Sequence, residues 1–479
     1  MTTATYRAPA RNPGSFGLFD EMVIDCFAGG GGASTGIERA LGRPVDAAIN
    51  HSADAIAMHT ANHPFTHHYV EDIWNVDPQA VTQGRPVGML WASPDCTHFS
   101  RARGAPPCSV RIRGLAWIVI RWMREAKPRV VMLENVVEFE TWGPLDSNGH
   151  PDPERSGHYF VLWIRQMKRL GYTVEWRALN AADYGAPTSR TRFFLIARCD
   201  GAPIVWPEPT HGPGRAQPHR SAAEIVDWSI KAPSIFLSPE EAKQVGCKRP
   251  LAAKTMARIA AGIERYVLCD DPYIVRNAAG VLSPWIVPRY GERPTQAPRT
   301  HDLRDPLPTI VPTGNGSQLV AAWLSQNNGG MVGHSMREPV STIVGKGSTQ
   351  SVIAQRLEPG APDRSGDVRG FFTKFYGTSR VGAGLDEPVH TITPRDRFGL
   401  VVVDGVEHHI ADIGLRMLTP RELYRAQGFG DDYIIDRGAD GKPLTKKQQN
   451  RFVGNSVSPH ISHALAAANV ATTNERMTA

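Results

Sequence analysis

Ser93-Pro94-Asp95-Cys96-Thr97-His98-Phe99-Ser100 places a cysteine on a polar, proline-containing segment directly after the apolar run Val87–Ala92. Such a position, at the carboxyl end of a strand, suits a nucleophile whose thiolate is stabilised by loop amides or a cationic neighbour. A structural thiol is the plainer alternative, and one histidine two residues from one cysteine makes a poor metal site. Glu134-Asn135-Val136 ends a second apolar run. A carboxylate leaving a buried strand into a cleft is costly unless it binds something, and burial raises its pKa towards a proton-sharing role. The alternative there is a surface turn or a helix cap at Asn135. Arg190 and Arg192 precede the run Phe193–Arg198 at strand spacing, so both point to one face. They are either solvated edge charges or donors to a carbonyl or phosphate. Finally, Val23-Ile24-Asp25-Cys26-Phe27-Ala28-Gly29-Gly30-Gly31-Gly32 runs from a strand into a turn that a nucleoside-containing cofactor can approach closely. The dinucleotide fingerprint is not met, because Ser34 or Thr35 stands where its third glycine belongs.

These residues need elements that bring them together. Alternating patterns predict strands at Met22–Phe27, Val45–Asn50, Val87–Ala92, Val130–Glu134, Thr173–Leu179 and Phe193–Arg198. Helical segments are expected around Ser34–Leu41, Asp54–Asn62, Leu115–Glu125 and Phe160–Leu170. Strand and helix in alternation give the α/β class, a mostly parallel, doubly wound sheet with helices on both faces. Ligands in such sheets bind beyond the carboxyl ends of the strands, where all four groups fall. Residues 200–410 are rich in Pro, Gly and Thr, with short β-like runs and few convincing helices. A weak repeat occurs there, at Asp305–Ile310, Glu338–Ile343 and Glu387–Ile392. Its unequal spacing argues for a turn-plus-strand unit in a separate β-rich domain rather than a solenoid. Helical texture returns from Arg416, ending in a helix expected over Pro459–Ala471.

Composition is that of an ordinary globular chain, with 41% apolar and 21% charged residues. At 479 residues two or three domains are expected. No apolar run approaches the roughly 18 residues of a membrane span, and no secretory signal is visible. The net charge of +6 permits an acidic partner without requiring one. Six scattered cysteines with no CxxC pair fit reduced thiols in a soluble, cytoplasmic protein.

Taken in order, the four groups resemble the cytosine-5 DNA methyltransferase family. Two further segments extend the likeness. Arg416-Met417-Leu418-Thr419-Pro420-Arg421-Glu422-Leu423-Tyr424-Arg425-Ala426-Gln427-Gly428-Phe429 is similar to the family's RxLTxRExxRxQGF segment. Gly454-Asn455-Ser456-Val457-Ser458-Pro459 is similar to its GNxVxP turn. The likeness covers about 22–198 and 416–470 and leaves 200–410 uncovered. It implies a Rossmann-like catalytic domain over 20–200 and a β-rich target-recognition domain over 201–435, including 416–433. A C-terminal turn and helix over 450–475 would return to the catalytic domain. The cofactor it implies is S-adenosylmethionine, lying along Asp25, Phe27, Gly29 and Gly31. Asp72 and Ile73 would meet the base, while Asn50, Pro94, Asn455 and Ser456 complete the pocket. Cys96 would add to ring carbon 6 of cytosine, Glu134 would hold nitrogen 3 and the exocyclic amine, and Arg190 and Arg192 would face the base carbonyl. The target base would have to leave the duplex stack. Ser100, Lys346, Arg395 and Arg397 are the residues expected on DNA.

Three positions depart from the family pattern. Asp95 stands where Pro usually precedes the nucleophile, Asn50 replaces the acidic residue on the cofactor ribose, and Thr188 replaces a Gln before the two arginines. They are expected to tune affinity rather than abolish activity. The leading expectation is a monomeric enzyme that methylates cytosine in double-stranded DNA, with no membrane partner and compatible with a restriction endonuclease counterpart. Methylation of RNA, an inactive DNA-binding paralogue, and a nicotinamide or flavin oxidoreductase are the alternatives.

Overall fold

The structure, a computed structural model, describes residues 21–95, 99, 109–267, 271–277, 280–288, 299–310, 317–326, 400–403 and 406–470. The chain divides into two compact units: Met1–Ala186 with Arg190–Pro218 and Gln427–Ala479, and Pro187–Ser189 with His219–Ala426.

The first unit is built on seven strands: β1 (Met22–Cys26), β2 (Ala47–Asn50), β3 (His67–Val70), β4 (Val87–Ala92), β5 (Val130–Asn135), β6 (Thr173–Asn180) and β7 (Thr191–Arg198). Their order is β3-β2-β1-β4-β5-β7-β6. The first five run parallel, while β7 is antiparallel to both β5 and β6. The helices are α1 (Gly32–Leu41), α2 (Ala53–Asn62), α3 (Pro78–Thr82), α4 (Val110–Arg113), α5 (Trp117–Glu125) and α6 (His158–Arg169).

β1, β4 and β5 are buried along their whole length, as expected of parallel strands covered on both faces. Ile24, Cys26, Leu90, Leu133, Trp122, Trp163 and Phe139 form the core on one face. Val23, Met89, Trp91, Met132, Ile37, Ile461 and Leu465 form the core on the other. β3 is an edge strand whose four residues are exposed or half-buried, so its sequence shows no apolar run and no strand is expected there.

The second unit carries α7 (Pro239–Gln244), α8 (Ala253–Tyr266) and the strands β8 (Val275–Asn277), β9 (Gly280–Pro288), β10 (Ser317–Gln326), β11 (Leu400–Val403) and β12 (Val406–Met417). These strands form an antiparallel sheet in the order β11-β12-β10-β9-β8. The β-rich expectation is met. The expected scarcity of helices is corrected by α8, 14 residues long, which buries Ile259 and Ile263, with Val267 at its C-cap, against Trp285, Val320, Ile413 and Leu415.

Two helices, α9 (Pro420–Gln427) and α10 (Lys446–Asn455), follow, and α11 (Pro459–Asn469) packs on the sheet of the first unit. Within the second unit the Arg-x-x-Thr-x-x-Glu part of the segment from 416 to 422 is a buried clamp. Arg416 donates to both carboxylate oxygens of Glu422 at 2.9 and 2.7 Å, and Thr419 N and Asp227 N add donors at 2.7 and 2.8 Å.

Candidate active site

The switch in strand order lies between β1 and β4, so the loops leaving these neighbouring strands open on the same edge. The loop after β1 is the glycine turn. Phe27 takes a left-handed conformation at φ 65°, and Gly31, at φ 94°, caps α1. Gly31 also touches the Tyr433 hydroxyl and the His63 ring so closely that a Cβ there has no room. The turn is pinned by Ala28 N donating to Ile49 O at 3.1 Å.

Asp25 shares a face of β1 with Val23, towards α1, and is fully buried. Its Oδ2 accepts from Ser34 Oγ at 2.7 Å, while Oδ1 is buried with no hydrogen-bond partner. Burial pushes the Asp25 carboxyl up to about 7 against the Ser34 bonds that lower it. A buried acceptor without a donor fits a ligand that brings N–H or O–H groups. S-adenosylmethionine, with an ammonium and ribose hydroxyls, meets that requirement.

The other cofactor candidates are distributed around this turn with differing partners. Gly29 is left-handed at φ 54°, and Ile73 is part of the core. Asn50 closes β2, and its Oδ1 already accepts from Ser52 N at 2.9 Å. Asp72 accepts from Arg111 at 2.6 Å, a half-exposed pair of the kind that contributes at most about 1 kcal/mol and leaves the carboxylate available. Gly32 lies against Ser456 Oγ and the Val457 carbonyl, with no room for a Cβ, so the C-terminal turn sits on the start of α1. Ser456 is buried there, whereas Asn455 is exposed.

The loop after β4 begins with Ser93 N donating to Cys26 O at 3.2 Å. Pro94 is buried and Asp95 exposed. Cys96 and Ser100, with Lys346, Arg395 and Arg397, lie outside the described residues, as do the repeats at 338–343 and 387–392. Phe99 is held edge-on to Phe139 and Trp142 at 5.1 and 6.2 Å, with the Arg113 guanidinium 4.6 Å over its ring. Cys26 is a buried core thiol whose pKa burial drives up, so it is inert.

Glu134 is the penultimate residue of β5 and is buried. Because β7 runs antiparallel, it begins where β5 ends, which brings Arg192 Nε within 3.5 Å of Glu134 Oε1. At that length the pair is an ion-pair contact rather than a hydrogen bond. Burial raises the Glu134 pKa, and the charges of Arg190 and Arg192 offset part of that rise. Sequence reasoning reads Asn135 as a possible cap, and the structure gives it another task. Its Nδ2 donates to Pro94 O at 3.1 Å and its Oδ1 accepts from Val136 N at 2.9 Å, lashing the end of β5 to the loop that leads to Cys96.

Thr188 belongs to the second unit, where its hydroxyl and Ser189 N donate to Leu307 O, each at 2.9 Å. No helix among the described residues is long and apolar enough to cross a membrane.

The doubly wound sheet thus carries, at neighbouring strand ends, a glycine turn, a buried carboxylate and a nearby arginine. The sequence profile of the family described as C-5 cytosine-specific DNA methylase matches residues 22–211, and that region belongs to the family. The Type II methyltransferase M.AgeI of Thalassovita gelatinovora is 28% identical over 219 residues, 45% of this chain and 46% of that protein. The Type II methyltransferase M1.HphI of Haemophilus parahaemolyticus is 29% identical over 193 residues, 39% of this chain and 48% of that protein. The chain thus spans about half the length of these two curated relatives. A putative DNA modification methyltransferase encoded within an E. coli prophage is 17% identical, with a TM-score of 0.47, covering 95% of this chain and 99% of that one.

Proposed function

We propose that this protein transfers a methyl group from S-adenosylmethionine to carbon 5 of cytosine in double-stranded DNA, with the base rotated out of the stack. The observation that carries the reading is Glu134, buried at the end of β5, with Arg192 at 3.5 Å and Asn135 bonded to the Cys96 loop. Bound along the glycine turn near Asp25 and Phe27, S-adenosylmethionine supplies an electrophilic methyl group. The Cys96 thiolate forms a bond to carbon 6 of the base, and the displaced electron pair makes carbon 5 nucleophilic. Glu134 holds nitrogen 3 and the exocyclic amine, and its raised pKa lets it share a proton with nitrogen 3 as charge develops. Arg192 and Arg190 hold the base carbonyl. Carbon 5 takes the methyl group with S-adenosylhomocysteine as the leaving group, and loss of the carbon 5 proton to water then re-forms the 5,6 double bond as the sulfur–carbon bond breaks, restoring the thiolate.

A catalytic domain over 20–200, completed by the turn and helix of 450–475, fits this chemistry. The segment 201–435 acts as the reader of the duplex, with Ser100, Lys346, Arg395 and Arg397 on DNA. The protein works as a cytoplasmic monomer, and the Type II relatives favour a restriction endonuclease as its counterpart. A large second unit with its own sheet favours DNA over RNA, since reading a duplex needs a dedicated module. The test is incubation of the full chain with deuteromethyl-labelled S-adenosylmethionine and either duplex DNA or transfer RNA, followed by nucleoside mass spectrometry. Labelled 5-methyldeoxycytidine from DNA is the expected product. Label in RNA alone would move the substrate, and label in neither would remove the enzyme reading.

A further inference from the structure

Beneath the glycine turn lies a buried histidine cluster that the methyl-transfer chemistry does not use. His59 is on α2, His63 caps the C-terminus of α2 one turn later, and His68 is on β3. Their rings pack together, with His59 centroids 4.4 Å from His63 and 4.9 Å from His68. Two hydrogen-bonded arms run from them to the turn.

In the first arm, Ser34 Oγ spends its one proton on Asp25 Oδ2, at 2.7 Å. His59 Nε2 lies 3.0 Å from the same hydroxyl and must therefore donate to it. Burial and the neighbouring histidines hold His59 neutral, so its Nδ1 is an acceptor, met by His68 Nε2 at 2.8 Å. His68, His59 and Ser34 thus form a directional series of donors ending on Asp25.

In the second arm, Tyr433 donates to Gly30 O at 2.5 Å and Thr35 Oγ1 to Gly31 O at 2.7 Å. His63 Nε2 lies 3.3 and 3.4 Å from these two hydroxyls. His63 Nδ1 is fixed by Glu38 Oε2 at 2.8 Å. The second arm sets the carbonyls of Gly30 and Gly31, and through them the peptide planes of the turn.

We infer that His59 and His63 are positioning residues for the cofactor: the first orients the Asp25 carboxylate through Ser34, the second fixes the glycine turn through Tyr433 and Thr35. The inference rests on the reading that S-adenosylmethionine binds along this turn. It explains why two buried imidazoles, His59 and His63, are held with a half-buried third, His68, where a buried ring must find a partner. At His59 a hydrogen-bond donor to Ser34, rather than ring packing, is what the arm requires.

The test is titration calorimetry of the full chain with S-adenosylhomocysteine, using His59→Leu, His59→Gln and Tyr433→Phe, each checked for native circular dichroism. The Gln side chain can donate to Ser34 from its own Nε2, whereas Leu cannot. His59→Leu and Tyr433→Phe should each weaken binding about tenfold or more, and His59→Gln should restore it to within about threefold. A role in packing alone would not separate Leu from Gln in this way. If His59→Leu does not fold, His59→Phe takes its place, since it keeps a ring of similar size without a donor. Folded variants that bind within about threefold of the native chain overturn the inference while leaving the cofactor reading in place. A native chain that binds no S-adenosylhomocysteine overturns the cofactor reading itself.

Discussion

Asp25 and Glu134 are both buried carboxylates, but their surroundings divide the work between them. Glu134 faces two arginines that offset its burial, and the proposed substrate ring supplies the donors it lacks. Replacing it as Glu134→Gln should lower kcat by about 10²–10³, since a neutral amide cannot share a proton with ring nitrogen 3. Steady-state kinetics on duplex DNA checks this, and S-adenosylhomocysteine binding reports whether the cofactor turn is intact. Asp25 has no such cation, and burial raises its pKa from 3.8 to about 7. The folded chain keeps that proton where the unfolded chain releases it. Stability from this group is therefore full below about pH 4 and is lost as pH rises to about 7, on the order of 4 kcal/mol in total. Asp25→Asn should flatten that slope and make the ligand-free protein more stable than the native chain near pH 8. Urea unfolding at pH 5 and pH 8 measures it, and an unchanged slope contradicts the assignment. The same variant should bind cofactor at least about tenfold more weakly, so the carboxylate is retained at a cost in stability.

Among elements, those with an unbroken apolar run or a clear motif were legible. β1, β4 and β5 are buried throughout and were expected within a residue or two. β3 was not, because an edge strand written His-His-Tyr-Val buries too little to leave a pattern. α8 was hidden differently. Ile259, Ile263 and Val267 recur every four residues, a helical spacing overshadowed by the Pro-, Gly- and Thr-rich texture of 200–410 as a whole. The four conspicuous motifs were legible as positions at strand ends, while the histidine cluster was not, since it joins β1, α1, α2, β3 and Tyr433. The Arg416–Glu422 pair was read as part of a motif, and its burial explains the motif physically. Burial raises the Glu422 pKa, and the bonds from Arg416, Thr419 and Asp227 more than reverse that. Arg416→Met leaves this carboxylate buried without its cation, which should destabilise the second unit by about 3–5 kcal/mol. Scanning calorimetry should show the corresponding transition lowered; an unmoved transition would place the pair outside the cooperative core of that unit.

At the scale of the molecule there are two units with separate sheets, to which the proposed function gives chemistry and duplex reading respectively. The change of texture expected near residue 200 lies within the first unit, which runs on to Pro218. Which side chains read DNA was not legible, because single arginines and lysines in loops carry no pattern. If Lys346, Arg395 and Arg397 each neutralise a phosphate, each alanine variant should reduce the salt dependence of DNA affinity by about 0.9 in log–log slope. Fluorescence anisotropy across a salt series gives that slope, and variants with the native slope would remove those residues from the interface. The central claim remains the covalent route through Cys96. Its most direct measurement is to incubate the full chain and S-adenosylmethionine with duplex DNA carrying 5-fluorocytosine, whose carbon 5 has no proton to lose. A denaturation-resistant complex with the combined mass of protein and DNA, absent for Cys96→Ser, is the result expected. A native chain that methylates ordinary duplex DNA yet never forms that complex, or forms it equally well without the Cys96 sulfur, would contradict the account.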